Sequence, residues 1–110
     1  MQEIQGYHAH VYFNADTLSQ ARALCEEATE RFGLKMGRVH EKPVGPHPEW
    51  SCQLAFEHAQ LADVTLWLAL NRKGLVVLMH PLTGNDLADH TAHAIWMGAV
   101  RELDVSIFKR

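Results

Sequence analysis

Residues 6–13 read Gly6-Tyr7-His8-Ala9-His10-Val11-Tyr12-Phe13, and their alternation decides the fold. Small or apolar side chains interleave with polar ones, and aromatic and β-branched types are frequent, so the segment is predicted as a strand. Side chains along a strand point to opposite faces with period two. Ala9, Val11 and Phe13 therefore share one face, and His8, His10 and Tyr12 share the other.

Working outward, Asn14 or Asp16 can cap a helix that runs from Thr17 to about Phe32 and stops at Gly33. Its apolar residues Leu18, Ala21, Cys25, Ala28 and Phe32 recur every three or four positions as one buried stripe. Leu34–His40 reads as a second strand. The stretch Glu41–Glu49 holds Pro43, Pro46, Pro48 and Gly45, which makes it a stiff loop. Ser51–Phe56 is a third strand with Cys52, Leu54 and Phe56 on one face. His58–Arg72 is a second helix with Leu61, Val64 and Leu68 inward, closed by Gly74, and Leu75–His80 is a fourth strand broken by Pro81. After a turn at Thr83-Gly84-Asn85, a short helix is predicted from about Asp86 to Trp96, stopping near Gly98. Leu103–Phe108 can add a terminal edge strand. The order βαββαβ predicts one α+β domain over residues 1–110, a ferredoxin-like sandwich. Two helices cover one face of an antiparallel sheet, with the short helix and the edge strand added at the C-terminal end. His8, His10 and Tyr12 then lie on the uncovered face, which must be a site, a dimer surface, or both.

Composition narrows the function. In 110 residues, 47% hydrophobic and 21% charged side chains describe a chain that folds into one core rather than staying disordered. Ten Lys and Arg against thirteen Asp and Glu leave a net charge of -3. That balance argues against nucleic acid and anionic membrane as partners. The longest apolar run, Leu61–Leu70, is about half of what spans a bilayer. Met1-Gln2-Glu3-Ile4 offers no basic start and no apolar run follows, so no signal peptide and a cytoplasmic location are expected. Cys25 and Cys52 lack CxxC spacing and read as buried free thiols.

The unusual number is eight histidines. His8 and His10 sit two apart on one strand, roughly 6–7 Å between Cα atoms, close enough to ligate one ion. The plainer reading is two imidazoles on a solvated face. In a ferredoxin-like sheet the fourth strand pairs with the first, so His80 can project beside the pair; the alternative is a strand-end histidine bonded to a turn. His47 is clamped between Pro46 and Pro48, a restriction that suits a positioned acid, base or ligand as well as a surface loop. His90 and His93 share a helix face, where Asp86 and Asp89 can orient an imidazole. His40 and His58 read as surface residues. Tyr12 and Trp50 are candidate substrate contacts; Trp50 and Trp96 can each wall a pocket or pack in the core. HExxH, a glycine-rich phosphate loop, GxSxG and an EF-hand pattern are all absent from the sequence. The histidine distribution is compatible with a mononuclear non-haem iron site, where neutral imidazoles leave open positions for a catechol and O₂.

The segments Gly6–Phe13, Gly45-Pro46-His47-Pro48-Glu49-Trp50, Leu78-Met79-His80-Pro81-Leu82-Thr83-Gly84-Asn85-Asp86-Leu87 and His90-Thr91-Ala92-His93-Ala94-Ile95-Trp96-Met97-Gly98 carry a resemblance. Together, and in this order, they resemble the small bacterial and fungal DOPA 4,5-dioxygenase family. The resemblance implies a ferredoxin-like domain, commonly a homodimer, that opens a catechol ring by extradiol cleavage with O₂ at non-haem Fe(II), for which zinc can substitute. It brings forward His8, His10, His47 and His80, with His90 beside them, as site residues without dividing ligands from acid or base. Because two adjacent strands can bring them together, His8, His10 and His80 are expected as metal ligands, with His47 and His90 as catalytic acid or base. DOPA or another catechol such as caffeate or protocatechuate is the implied substrate. The competing expectation is a non-catalytic dimeric domain that binds a small aromatic ligand or a metal.

Overall fold

Strand β1 (Tyr7–Phe13) forms where the alternation places it and becomes the centre of the sheet, paired on both sides and buried on both faces except at half-buried His8. The computed structural model describes residues 3–109. Met1 and Gln2, which entered the reading of the leader, lie outside the described residues, as does Arg110. Helix α1 (Leu18–Phe32) and strand β2 (Lys35–His40) follow, then β3 (Trp50–Phe56). A 3-10 turn at His58–Gln60 leads into α2 (Leu61–Asn71), and β4 (Val77–Pro81) completes the βαββαβ order. The strands are arranged β2-β3-β1-β4-β5, with every pair antiparallel. The ferredoxin-like α+β expectation holds.

The core lies between β1, β3 and β4 and the two helices. Ala9, Val11 and Phe13 pack with Ala21, Leu24, Cys25 and Ala28 of α1 and with Val64 and Leu68 of α2. The predicted stripe of α1 is thus its buried face, although Leu18 and Phe32 at its ends are only partly covered. Gly33 closes α1 in the left-handed conformation, φ 67°, where a side chain would be strained. Asn14 does not cap α1 directly; its side chain accepts from the backbone N–H groups of Asp16 and Thr17 one turn earlier. Cys25 and Cys52 are buried free thiols, as read from the sequence. Among the described residues no helix is long and apolar enough to cross a membrane.

The C-terminal third departs from the expectation. The helix predicted to reach Trp96 is only α3 (Asp86–Asp89), started by the Asn85 side chain accepting from Ala88 N–H at 3.0 Å. Residues Ile95–Met97 instead form β5, paired with Met79, Leu78 and Val77 of β4. A β-branched and an aromatic residue gain more from closing the open edge of β4 than from another helical turn. Leu103–Phe108 forms no strand; Leu103 packs inward and residues Ser106–Phe108 make a 3-10 turn. Pro81 does not break β4 but ends it, opposite Tyr7. Proline is tolerated at that position because the bonds to β1 fall on its neighbour, Leu82 N–H donating to the Gly6 carbonyl at 2.8 Å, so the Pro81 nitrogen faces away from β1.

The face expected to be bare is partly roofed. Tyr12, Val76 and Leu78 build a second hydrophobic cluster with Ala94, Trp96, Ala99 and Leu103. The Glu41–Glu49 loop joins this roof, because Asp104 N–H donates to the Pro46 carbonyl at 2.9 Å and Arg101 pairs with Glu49.

Candidate active site

Two neighbouring strands set the site. The β1–β4 register places His8 directly opposite His80, and His10 follows His8 on the same face. The Nε2 atoms of His10 and His80 stand 3.1 Å apart, both within the buried interior. One ring nitrogen from each of His8, His10 and His80 lies within 4.8 Å of the others, an arrangement that can hold a metal ion. His80 is oriented by its own strand end: Nδ1 donates to the Pro81 carbonyl at 2.9 Å. A carbonyl only accepts, so Nδ1 carries the proton and Nε2 turns its lone pair toward His10 and His8. That is the support a metal-bound imidazole ordinarily receives.

The loop and the short helix bring two further imidazoles. The His47 ring sits 4.1 Å from that of His10, and its Nδ1 is 2.7 Å from the Tyr12 hydroxyl. His90 lies 4.2 Å from His80 and is covered on its other side by Phe108 at 4.7 Å. Its Nδ1 donates to the Asp86 carbonyl at 2.7 Å. Five of the eight histidines therefore converge, His8, His10, His47, His80 and His90. His93 is turned away and donates to Asp89 at 2.8 Å. His58 is exposed, its Nδ1 2.7 Å from the Tyr7 hydroxyl, and His40 lies half-buried on β2.

Burial is the leading influence on these rings; neighbouring imidazoles lower them further, while the bond to the Pro81 carbonyl pushes His80 partly back up. Together these influences push His47 and His80 down to about 4 and hold His10 well below 6.5, while His8 is lowered as well. At neutral pH these four imidazoles are neutral and their lone pairs are available. The unfolded chain binds protons near the ordinary value of 6.5, whereas the folded metal-free chain refuses them until about pH 4. Stability is thus full above pH 6.5 and falls as pH drops through that window. His47 and His80, both buried, should each contribute a loss on the order of 3 kcal/mol by pH 4. Urea midpoints of the metal-free protein at pH 7.5 and pH 4.5 check this; equal midpoints would contradict the lowered values.

Asp89 anchors the turn that follows His80. Its carboxylate is 1% exposed and accepts from Thr83 N–H at 2.9 Å, Thr83 Oγ1 at 2.6 Å and His93 Nδ1 at 2.8 Å. Burial raises its pKa, but the Thr83 and His93 bonds outweigh that and hold the acid below its ordinary range. Asp89→Asn removes the charge and leaves one acceptor oxygen where three donors converge. A loss of about 2–3 kcal/mol is expected in chemical denaturation, the scale of a bond to a buried charge.

Two sequence candidates change position. Trp50 lies on the helix-covered side, packed edge-on against Phe13 at 6.2 Å, and does not join the histidines. The same alternation that buries Cys52, Leu54 and Phe56 carries Trp50 to their face. Trp96 occupies the histidine side instead, 6.1 Å from Tyr12. Tyr12 does reach the site, yet it is 1% exposed with its hydroxyl on His47, so it touches His47 rather than open space. Nothing in the local sequence signals that Tyr12–His47 contact, or the closure of Phe108 over His90.

The family model described as "Dopa 4,5-dioxygenase family" matches residues 7–107. "DOPA 4,5-dioxygenase" of Amanita muscaria is 32% identical over 105 residues, which cover 87% of this chain and 46% of that protein. An uncharacterized 21.2 kDa protein of Botryotinia fuckeliana is 34% identical over 116 residues, covering 94% and 63%. The chain therefore spans less than two thirds of the length of both of these curated relatives. Among solved structures, the crystal structure of a "putative dioxygenase" from Nostoc punctiforme superimposes with a TM-score of 0.84 at 39% identity, covering 96% of this chain and 92% of that one.

Proposed function

The chain belongs to the Dopa 4,5-dioxygenase family, and from that premise we propose that it opens a catechol ring by extradiol cleavage with O₂ at a mononuclear non-haem Fe(II). DOPA or a related catechol is the substrate. The observation that carries the reading is the group of three ring nitrogens, from His8, His10 and His80, on adjacent strands of the roofed sheet face.

The residues fit such an ion. Ligands near 2.1 Å from one centre lie at most about 4.2 Å apart, so a spread within 4.8 Å closes with movements of a few tenths of an ångström. Three neutral donors leave coordination positions free, which suits Fe(II) with two exchangeable reactants, and zinc can occupy the same set. When bound, the ion supplies chelation of both catechol oxygens and an electron path to O₂.

The chain's own groups handle the protons. His47 accepts the phenolic proton at Nε2 and returns it as the ring opens, because Nδ1 is engaged by the Tyr12 hydroxyl. His90, tilted against the His80 ring, is the second acid–base group and helps to exclude water together with Phe108. Tyr12 serves as a positioning residue for His47. Both oxygen atoms of O₂ enter the product, the ring C–C bond beside the diol breaks, and no outside reductant is consumed. Anaerobic loading with Fe(II), followed by DOPA, caffeate and protocatechuate in air, should give oxygen uptake with a yellow semialdehyde. Iron-loaded protein that consumes no oxygen with any catechol would sink the proposal.

A further inference from the structure

Burial falls along the histidine face from one end to the other. On β1, Tyr12 and His10 are 1% and 4% exposed, whereas His8 is only half-buried. On β3, Ser51 opposite Tyr12 is buried, whereas Gln53 and Ala55, opposite His10 and His8, are half-buried. The roof therefore closes the site at its Tyr12 end and leaves it open over His8 and Ala55.

Strand register fixes what lies beyond that opening. Residues directly opposite one another in an antiparallel pair carry their side chains on the same face. His80 pairs with His8, His8 with Ala55, and Ala55 with Lys35 of β2, which makes one row across four strands. At about 4.8 Å per strand, Lys35 lies roughly 10 Å from His8 between Cα atoms. Only the methyl group of Ala55 stands between them in the row. A hollow of about 440 Å³ adjoins it, lined by Lys35, Ala55, Gly6, Leu82 and Glu57 among others. Its two charged groups are not equally available. Glu57 caps the turn that follows, its carboxylate accepting from Gln60 N–H. Lys35 is exposed, and among the described residues no carboxylate pairs with it.

We propose that Lys35 is a specificity-determining residue, which receives the carboxylate of a catechol whose side chain runs from the histidines across Ala55. The identity of the ring rests on the ring-opening reading above. The row adds that the acid, rather than an amino group, is what the protein recognises. The substrate class is then a catechol with a short carboxylic acid side chain. An ammonium-bearing side chain would meet the Lys35 charge and be repelled. Water screens an exposed lysine, so the preference is modest in size.

Anaerobic calorimetric titration of the Zn(II)-loaded protein tests this. It compares dihydrocaffeate with ethylcatechol, which lacks the acid, and with dopamine, which carries an ammonium instead. Wild type should bind dihydrocaffeate about 5–10-fold more tightly than ethylcatechol, and dopamine no better than ethylcatechol. Lys35→Met should bring dihydrocaffeate and ethylcatechol close to parity, and Lys35→Glu should reverse the order in favour of dopamine. Ala55→Leu, which obstructs the row, should weaken dihydrocaffeate more than unsubstituted catechol. Arg22→Gln, exposed on α1 across the sheet, should keep the wild-type order. Circular dichroism checks that each variant is folded. Wild type that binds none of these ligands, or binds acid and neutral analogue equally, overturns the proposal, as does an acid preference that survives Lys35→Glu. Oxygen uptake by Fe(II)-loaded protein separates the two readings. Acid preference without uptake refutes ring opening and keeps Lys35 as an acid-binding residue, whereas uptake without acid preference refutes the role of Lys35 alone.

Discussion

His80→Ala should reduce metal affinity by well over the roughly 10–100-fold that loss of a supporting partner alone produces. His80 is the one ligand candidate contributed by β4; without it only the His8–His10 pair of β1 remains on the ion. Its Nε2 is fixed by the Nδ1–Pro81 bond, so the alanine variant loses a preorganised donor rather than a mobile one. His8→Ala and His10→Ala should act in the same direction. The fold should survive, because the imidazoles sit on the opposite side of the sheet from the core shared with α1 and α2. In the metal-free state His80→Ala also removes one of the groups whose lowered pKa weakens the protein in acid. Its urea midpoint should thus fall less between pH 7.5 and pH 4.5 than that of wild type. Metal content after gel filtration, and anaerobic titration with Fe(II) or Zn(II), measure the affinity. His93→Ala is the control: that ring is held by Asp89, outside the cluster, and should leave affinity unchanged. If His80→Ala binds within a few-fold of wild type, the three-histidine assignment fails.

How the site became legible explains where reading from sequence ends. Alternation in β1 is local, so the shared face of His8, His10 and Tyr12 is written in eight consecutive residues. Pairing of β4 with β1 follows from the βαββαβ order, and it brings His80 opposite His8. Trp50 was within reach too, since counting back by two from Cys52 assigns it to the core. The segment after His90 is different. Ala92, Ile95, Trp96 and Ala99 satisfy helical spacing, and only the open edge of β4, a nonlocal feature, decides for a strand. Closure of the roof is nonlocal as well. Asp104 on Pro46 and Arg101 on Glu49 bind segments more than fifty residues apart, and neither contact has a local signature. Those contacts roof part of an otherwise bare sheet face, and they carry His47 onto Tyr12.

His47→Ala should leave metal binding intact and lower kcat by about 10²–10⁴-fold, the contribution of a positioned acid–base group. This corresponds to roughly 3–5 kcal/mol of barrier. The expectation follows from where His47 is attached. It arrives on a proline-stiffened loop rather than on the two strands, and Nδ1 is already taken by the Tyr12 hydroxyl. Tyr12→Phe separates the roles further. The variant keeps His47 and the ligands but frees Nδ1, so kcat should fall less than in His47→Ala, with KM nearly unchanged. Burial, followed by the surrounding histidines, places His47 at about 4, so the acid limb of kcat/KM in wild type should lie well below the ordinary histidine value of 6.5. Loss of the Tyr12 bond should move that limb, whereas a purely structural role for Tyr12 would lower activity equally at every pH. Should His47→Ala lose the metal along with turnover, His47 is a ligand and the proton must be carried by another group, with His90 nearest at hand.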